Sequence, residues 1–387
     1  MLRPADEILV IDRCFTRLTP IDEVDAVLRA AWDDLAMKAS EPNAFAESWF
    51  VLPAAAHLRG KRDVRLAQVW SHQNGLIGTV PLTIYSRYGR IPARHISNWS
   101  HYQSFMGTPL VRSGYETAFW RELIAMLDAE RWAAGFLSLT CMAEDGPLHR
   151  ALIQVGSGLK REIATVHHYE RAILSSRDRV EDYCKANIRP KKSKELRRLA
   201  NRLSELGEVT FARLTDAALL ETWCQQFLAL EAAGWKGARG AALGNTPQTK
   251  LFFCETLHGA FARGRLDFQR LDLDGRAIAM LINFRTPPGS WSFKIAYDED
   301  LARFSPGVLI ELENLGVVLG DPELDWMDSC AIENHPMINS LWAQRRAIVQ
   351  LSVPLAGARR VATYWLCRAT ENASAGLRQL RLRTGVF

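Results

Sequence analysis

Hydrophobic positions recur at helical spacing near the start of the chain. Val24, Val27, Leu28, Trp32 and Leu35 predict an amphipathic helix over 21–37, with Thr19 or Asp22 as its cap. Phe45, Trp49, Phe50 and Leu52 open a second apolar face. The pattern then turns strand-like over 64–70 and 76–85. Between the two runs stands Gln73-Asn74-Gly75, a hairpin signal because Asn-Gly accepts the positive φ of a tight turn. A strand over 95–99, a helix over 116–129 and a strand over 135–141 follow.

The second half repeats this order without any residue-level repeat. Helices are expected over 180–206 and 217–232. Strands over 266–273 and 276–284 flank Asp274-Gly275, and a third over 290–297 follows the Pro287-Pro288-Gly289 turn. Next come a helix over 306–319, a strand over 324–330, a helix over 338–348 and two closing strands over 349–353 and 360–367. A meander followed by one helical crossover makes the last two strands of each set parallel. The pattern therefore predicts an α/β (α+β) chain of two tandem domains, 1–175 and 176–387. Each is a mixed, mostly antiparallel sheet flanked by helices, and the boundary falls in 172–182.

Composition narrows the class. The 387 residues are 48% apolar and 24% charged, an ordinary globular balance. No apolar run approaches the roughly 20 residues needed to span a bilayer. The first residues lack the charged-then-apolar pattern of a secretory leader, and the short apolar stretch Ile8-Leu9-Val10-Ile11 is broken by Asp12 and Arg13. A cytoplasmic location is expected. The seven cysteines form no Cys-x-x-Cys pair, which argues against a zinc site or a disulfide framework. Charge is concentrated. Residues 185–202 hold eight basic side chains and one acid, a net +7 that leaves −2 for the rest of the chain. Such a helix could be a solvated face, or could bind nucleic acid, an acidic membrane surface or a carrier protein.

Candidate chemistry centres on the stretch from Trp291 to Leu312, where a strand runs through a polar loop into a helix. Ser305 can cap that helix, and Pro306 suits its first position because the missing N–H is not needed there. A helix start offers unpaired N–H groups and partial positive charge to an anion. A pyrophosphate flanked by Arg303 is the functional reading of this pattern; a well-capped helix with nothing bound is the plain one.

Several stretches carry a family likeness. They include Leu228-Ala229-Leu230-Glu231-Ala232-Ala233-Gly234-Trp235-Lys236-Gly237, Leu273-Asp274-Gly275-Arg276-Ala277-Ile278-Ala279, Phe293-Lys294-Ile295-Ala296-Tyr297-Asp298-Glu299 and Arg303-Phe304-Ser305-Pro306-Gly307-Val308-Leu309. Asp328-Ser329-Cys330-Ala331 with His335-Pro336-Met337-Ile338, and Pro42-Asn43-Ala44-Phe45 with Trp99-Ser100-His101-Tyr102, extend it over nearly the whole chain. In these the sequence resembles the BioF2-like or cellulose-biosynthesis-associated (CelD/BcsL) branch of the GNAT acyltransferases, related to the FemABX peptidyltransferases. The resemblance implies two GNAT-type domains, with the chemistry mainly in the second, and acyl transfer from a thioester to a primary amine. It implies acyl-CoA or an acyl carrier protein as donor and no metal. The acceptor would be a small molecule or a peptide. Peripheral membrane contact is a further implied partner, and nucleic acid is not expected. The usual loop, Gln/Arg-x-x-Gly-x-Gly/Ala, reads Arg303-Phe304-Ser305-Pro306-Gly307-Val308 here. Pro306 removes one N–H from the usual cradle, which keeps a carrier protein or a charged tRNA open as donor.

The resemblance also assigns roles. The donor would insert between strands 290–297 and 324–330, against Tyr297, Arg303, Ser305, Gly307 and Val308. His335, titrating near neutrality, is the first candidate base, with Asp328 orienting it or binding the amine. Both could instead simply cap a turn. Glu231 could accept a proton, and Trp235 and Lys236 could bind the acceptor; a packed helix end is the alternative. His101 could face the interdomain cleft or belong to a surface aromatic cluster. Cys330 reads better as packing than as a nucleophile. Two other functions compete: a FemX-like transferase using aminoacyl-tRNA, supported by the basic helix alone, and a non-catalytic binding module in polysaccharide biosynthesis.

Overall fold

A computed structural model describes residues 12–384; the leader reading, which rests on residues 1–11, lies outside the described residues. In chain order the first half forms β1 (Cys14–Pro20), α1 (Ala26–Ala36), α2 (Ser48–Leu58), β2 (Val64–Ser71), β3 (Gly75–Tyr85), β4 (His95–Asn98), β5 (Leu110–Val111), α3 (Glu116–Ala129), β6 (Leu137–Ala143), α4 (Pro147–Gly158) and β7 (Ala164–Leu174). The second half opens with α5 (Val180–Asn187), α6 (Pro190–Ser204), β8 (Val209–Arg213), α7 (Leu220–Ala233), α8 (Trp235–Ala238) and α9 (Pro247–Phe261). It continues with β9 (Leu266–Leu273), β10 (Arg276–Thr286), β11 (Gly289–Tyr297), α10 (Pro306–Leu319), β12 (Trp326–Asp328), β13 (Gln344–Val353) and α11 (Ala358–Thr384). Among the described residues no helix is long and apolar enough to cross a membrane.

The expected mixed sheet is present, but it is one sheet. Its order is β1-β2-β3-β4-β6-β13-β7-β12-β11-β10-β9-β8, with β5 on β3. Only β4 with β6 and β11 with β12 run parallel, as the crossover argument requires. The expected division at 175/176 falls one residue after β7, yet hydrogen bonding runs straight through it. Met327 and Asp328 of β12 pair with Leu174 and Ile173 of β7, and β13 threads between β6 and β7.

Two expected elements at the C-terminal end differ. In place of a helix over 338–348 there is one 3-10 turn, Ile338–Ser340, followed by β13. The run Ala347-Ile348-Val349-Gln350-Leu351-Ser352-Val353 finds strand partners on both sides, and pairing on two edges outweighs local helical spacing. The expected strand over 360–367 is the start of α11. Tyr364 and Cys367, three apart, are buried while Val361, Trp365 and Leu366 are exposed, which is helical periodicity. The Arg360 guanidinium fixes that helix to the end of α3 by donating to the carbonyls of Leu127, Asp128, Glu130 and Ala133.

Other corrections are local. The helix expected over 180–206 is broken at Ile188 and Arg189, both extended, because the residue before Pro190 is pushed out of the α region. The cap of α1 is Asp25, which accepts Leu28 N–H at 2.7 Å, and not Thr19 or Asp22. The Ser305 side chain makes no capping bond to α10; the residue is left-handed, at φ 56°.

One aromatic core joins the halves. Phe45, Trp49 and Phe50 interlock with Phe252, Phe284, Trp291 and Phe293, ring centroids 4.6–6.4 Å apart. Beneath β9 and β10 lies a buried polar network. Gln269 and Asn283 each donate to Asp267 and to Asn314, and Asn314 donates to Glu311. Burial pushes the Glu311 carboxyl up to about 7, against the Asn314 hydrogen bond.

Candidate functional site

The parallel pair β11–β12 is held over three positions only: Gly289 to Trp326, Ser290 to Met327 and Trp291 to Asp328. Beyond Trp291 the strands part, and β11 continues to Tyr297 paired only with β10. The equivalent gap in the first half is plugged. Past Ser97 and Ser138, where β4 and β6 last pair, the Asn98 amide donates to the carbonyls of Gly107 and Thr140 and accepts Thr140 N–H at 2.9 Å. Gly107 N–H donates to Cys141 O at 2.8 Å, and a Cβ on Gly107 would stand 2.0 Å from Thr140 O. Residues 98–107 thus occupy the space a ligand would need there. Among the described residues, the second-half strands β11 and β12 part without a matching set of hydrogen bonds across the gap.

At its mouth, α10 begins after a 3-10 turn, Glu299–Phe304. Ser305 O receives both Val308 N–H and Leu309 N–H, at 2.9 and 3.1 Å. Pro306 has no N–H, so Gly307 supplies the free amide of the first turn. A Cβ on Gly307 would meet the Tyr297 ring at 3.0 Å, so glycine lets the ring close on the helix start. Beside this turn lies a cavity of about 630 Å³, lined by Ser305 and Val308, by Arg189, Lys191, Lys192 and Glu195 from the start of α6, and by Pro336, Asn339 and Ser340. Lys192 Nζ donates to Ser340 Oγ, which draws the basic helix onto the 336–340 loop. Three cations, one acid and a helix N-terminus favour an anion. Arg303 is elsewhere, its guanidinium over the Phe304 ring at 4.8 Å.

Tyr297 belongs to a smaller pocket on the same edge, with Glu231, Trp235, Lys236 and Glu299. Glu231 is buried. One oxygen takes Lys236 Nζ at 2.9 Å and the other takes Leu243 N–H at 2.8 Å. Lys236 also donates to Ile295 O at 3.3 Å, so the pair ties α7 and α8 to β11. Each Glu231 oxygen thus accepts one hydrogen bond, and the carboxylate positions Lys236. Trp235 is half-exposed, and its N–H donates to Glu299 at 2.7 Å.

The expected His335–Asp328 pair does not form. Asp328 is fully buried. Its carboxylate faces Arg171 Nε at 2.7 Å and Arg346 Nη1 at 2.9 Å, and accepts Cys330 N–H at 2.9 Å. It holds β7, β12 and β13 together where the wedge begins. His335 Nδ1 accepts Ile338 N–H at 3.4 Å, the turn-capping alternative, and partial burial lowers its pKa. Burial, then the Asp328 charge, push the Cys330 thiol well up, against the nearby guanidiniums. His101 packs among Phe50, Trp99 and Phe252, within the core between the halves and not in a surface cluster. Burial, with Lys294 nearby, lowers its pKa to about 3, so the ring is neutral.

The side chain that sequence reasoning passed over is Lys294, three residues beyond the last β11–β12 pair. Its ammonium lies 5.1 Å from the Phe105 ring and 5.2 Å from the Phe293 ring, with no hydrogen bond or ion pair among the described residues. Burial, then the Lys236 charge, lower its pKa to about 8 against the pull of Glu231 and Cys330. The available signal was a lone lysine in the apolar run Trp291-Ser292-Phe293-Lys294-Ile295-Ala296.

Comparison with known proteins fits this geometry. No curated protein matches the sequence. FemX has the same fold at TM-score 0.55 and 10% identity, over 84% of this chain and 95% of that one. A conserved protein of unknown function from Bacteroides thetaiotaomicron VPI-5482 gives 0.53 and 13%, over 84% and 96%. The C-terminal domain (DUF2156) of a putative lysylphosphatidylglycerol synthetase from Agrobacterium fabrum gives 0.51 and 13%, over 88% and 95%. The family model that matches is the acetyltransferase (GNAT) domain, over residues 190–327, a span that holds α6, Lys294, the α10 turn and most of β12. Residues 190–327 are therefore similar to the GNAT acetyltransferase domain, set in a chain whose fold is similar to that of FemX.

Proposed function

We propose that the chain is an N-acyltransferase of the BioF2-like or CelD/BcsL kind, moving an acyl group from acyl-CoA or an acyl carrier protein to a primary amine. The observation that carries this reading is the unpaired Lys294 ammonium at the point where β11 and β12 separate, beside a basic cavity at a helix start. The donor's phosphates would lie against Gly307 N–H, Arg189, Lys191 and Lys192, and its thioester would reach into the wedge. There the ammonium of Lys294 donates to the carbonyl oxygen and stabilises the negative charge that develops on it. A neutral amine attacks the carbonyl carbon, a C–N bond forms and the C–S bond breaks. The proton lost by nitrogen ends on the departing thiolate, so the products are an amide and a free thiol. Phe105 and Phe293 flank the half-buried ammonium on two sides.

The test is release of free thiol from a panel of acyl-CoA donors of differing chain length, with amino sugars, amino acids, polyamines and lysine peptides as acceptors. Wild-type protein should release thiol only when an amine is present. Lys294→Met should slow release about 100- to 1,000-fold while donor affinity stays within about threefold. No consumption of any CoA or carrier-protein thioester would overturn the reading, and consumption of aminoacyl-tRNA in its place would put the FemX-like alternative forward.

A further inference from the structure

A second cavity, of about 210 Å³, lies at the seam between the halves and shares no residue with the basic cavity. Among its lining residues are Ser40, Glu41, Met106, Trp291, Trp326 and Arg346. The two indoles meet edge to face at 5.1 Å. Glu41 Oε2 accepts Leu148 N–H at 2.9 Å, in the first turn of α4, and its other oxygen has no partner among the described residues. Burial raises the Glu41 carboxyl pKa against that bond and against Arg346. The Arg346 guanidinium lies on the Trp326 ring at 4.0 Å and spends Nη1 on Asp328; its remaining N–H groups have no protein partner among the described residues. Glu41 and Arg346 make no ion pair with each other, and the buried Ser40 hydroxyl is without a hydrogen bond.

The cavity thus offers a carboxylate oxygen, a guanidinium edge, an orphan hydroxyl and indole walls, with the two opposite charges left apart. The buried Ser40 hydroxyl is costly to leave without a partner, and Glu41 and Arg346, both half-buried, turn their unspent polar atoms to the same space. A ligand that carries both charges on one carbon would satisfy all three polar groups at once. We propose that this cavity binds a free α-amino acid with an apolar side chain. Its carboxylate pairs with Arg346, its ammonium with Glu41 and Ser40, and its side chain rests on the tryptophans. The site is independent of the acyl-transfer reading, because it uses neither Lys294 nor the α10 turn.

Titration calorimetry on the full chain tests it with L-phenylalanine, L-leucine and L-methionine, and with phenethylamine and 3-phenylpropionate, which lack one charge each. At least one of the amino acids should bind at one per chain, and both single-charge analogues at least tenfold more weakly than L-phenylalanine. Glu41→Gln keeps an acceptor for Leu148 N–H; it should weaken amino-acid binding at least tenfold and leave 3-phenylpropionate unchanged. Ala143→Leu, which fills the cavity without touching either charge, should abolish binding while near-ultraviolet circular dichroism stays that of wild type. Failure of all three amino acids to bind at millimolar concentration overturns the proposal. So does equal binding of the single-charge analogues, or undiminished binding by a folded Ala143→Leu protein.

Discussion

Arg171 Nε stands 2.7 Å from Asp328 Oδ1, and both side chains are buried. The contact crosses from β7, in the first half of the chain, to β12, in the second. Arg346 of β13 reaches the same carboxylate at 2.9 Å, so two guanidiniums share one acid at the seam. Removing one member of such a group strands the others in a medium that solvates charge poorly. Asp328→Asn is therefore expected to cost about 3–5 kcal/mol of stability, read as a lower denaturation midpoint in urea. A variant with unchanged stability and lost activity would return Asp328 to the catalytic list.

Lys294 sets a pH limit. Its pKa, lowered to about 8 by burial, means that the ammonium needed at the carbonyl oxygen is present below that value and lost above it. On this account kcat falls through a limb near pH 8. Lys294→Arg, which stays charged, should retain measurable activity and move that limb upward. Loss of one such donor elsewhere costs about 100- to 1,000-fold in kcat, and Lys294→Met should fall in that range.

The basic cavity predicts a separate signature. Lys191→Ala with Lys192→Ala removes two of its three cations, and charge-assisted contacts to phosphate are among the stronger hydrogen bonds. Donor Kd is expected to rise at least tenfold at low salt, with kcat at saturation within about threefold. The remaining affinity should depend less on ionic strength than that of wild type. Equilibrium binding of acyl-CoA at two salt concentrations measures both.

His335→Ala separates a cap from a base. Loss of the bond from Ile338 N–H to Nδ1 should lower stability by about 0.5–2 kcal/mol, the range for helix caps, and leave kcat within about threefold. A fall of a hundredfold at unchanged stability would restore the base assignment.

Glu311 is a stability switch. Its folded-state pKa of about 7 lies above the ordinary 4.5, so the folded protein holds a proton that the unfolded chain gives up between those values. Stability should therefore decline as pH rises from about 4.5 to 7 and level off above, by roughly 3 kcal/mol at about 1.4 per unit. Glu311→Gln should flatten that decline, which denaturation midpoints across this pH range would show.

Much of the frame was legible in the residues. Asn74-Gly75 and Asp274-Gly275 fixed two hairpins, and Pro306 with the stripe from Leu309 to Leu319 placed α10 to the residue. The end of β13 was legible as the strand expected over 349–353, but its start was hidden because helical spacing from Ile338 runs on into a strand whose partners lie about 200 residues away in sequence. Its identity depends on those partners and not on its own pattern. The same limit applies to the site. Ser305 and Val308, which line the basic cavity, could be singled out because a helix start has a local signature. Lys294 was missed because an unpaired cation is defined by what surrounds it, and Phe105 comes from the other half. The partners of Asp328 and His335 were illegible for the same reason: polarity at a strand end looks alike whether it faces substrate or two arginines.

The placement of β13 also governs how the molecule can be made. β6 and β7 lie on either side of it, so their facing edges have no hydrogen-bond partners until residues 344–353 have left the ribosome. The middle of the sheet is thus the last part to close during synthesis. A fragment ending at 175 would leave one edge of β6 and both edges of β7 bare and stick to others of its kind. The two halves resemble each other in pattern, but biogenesis makes them one object.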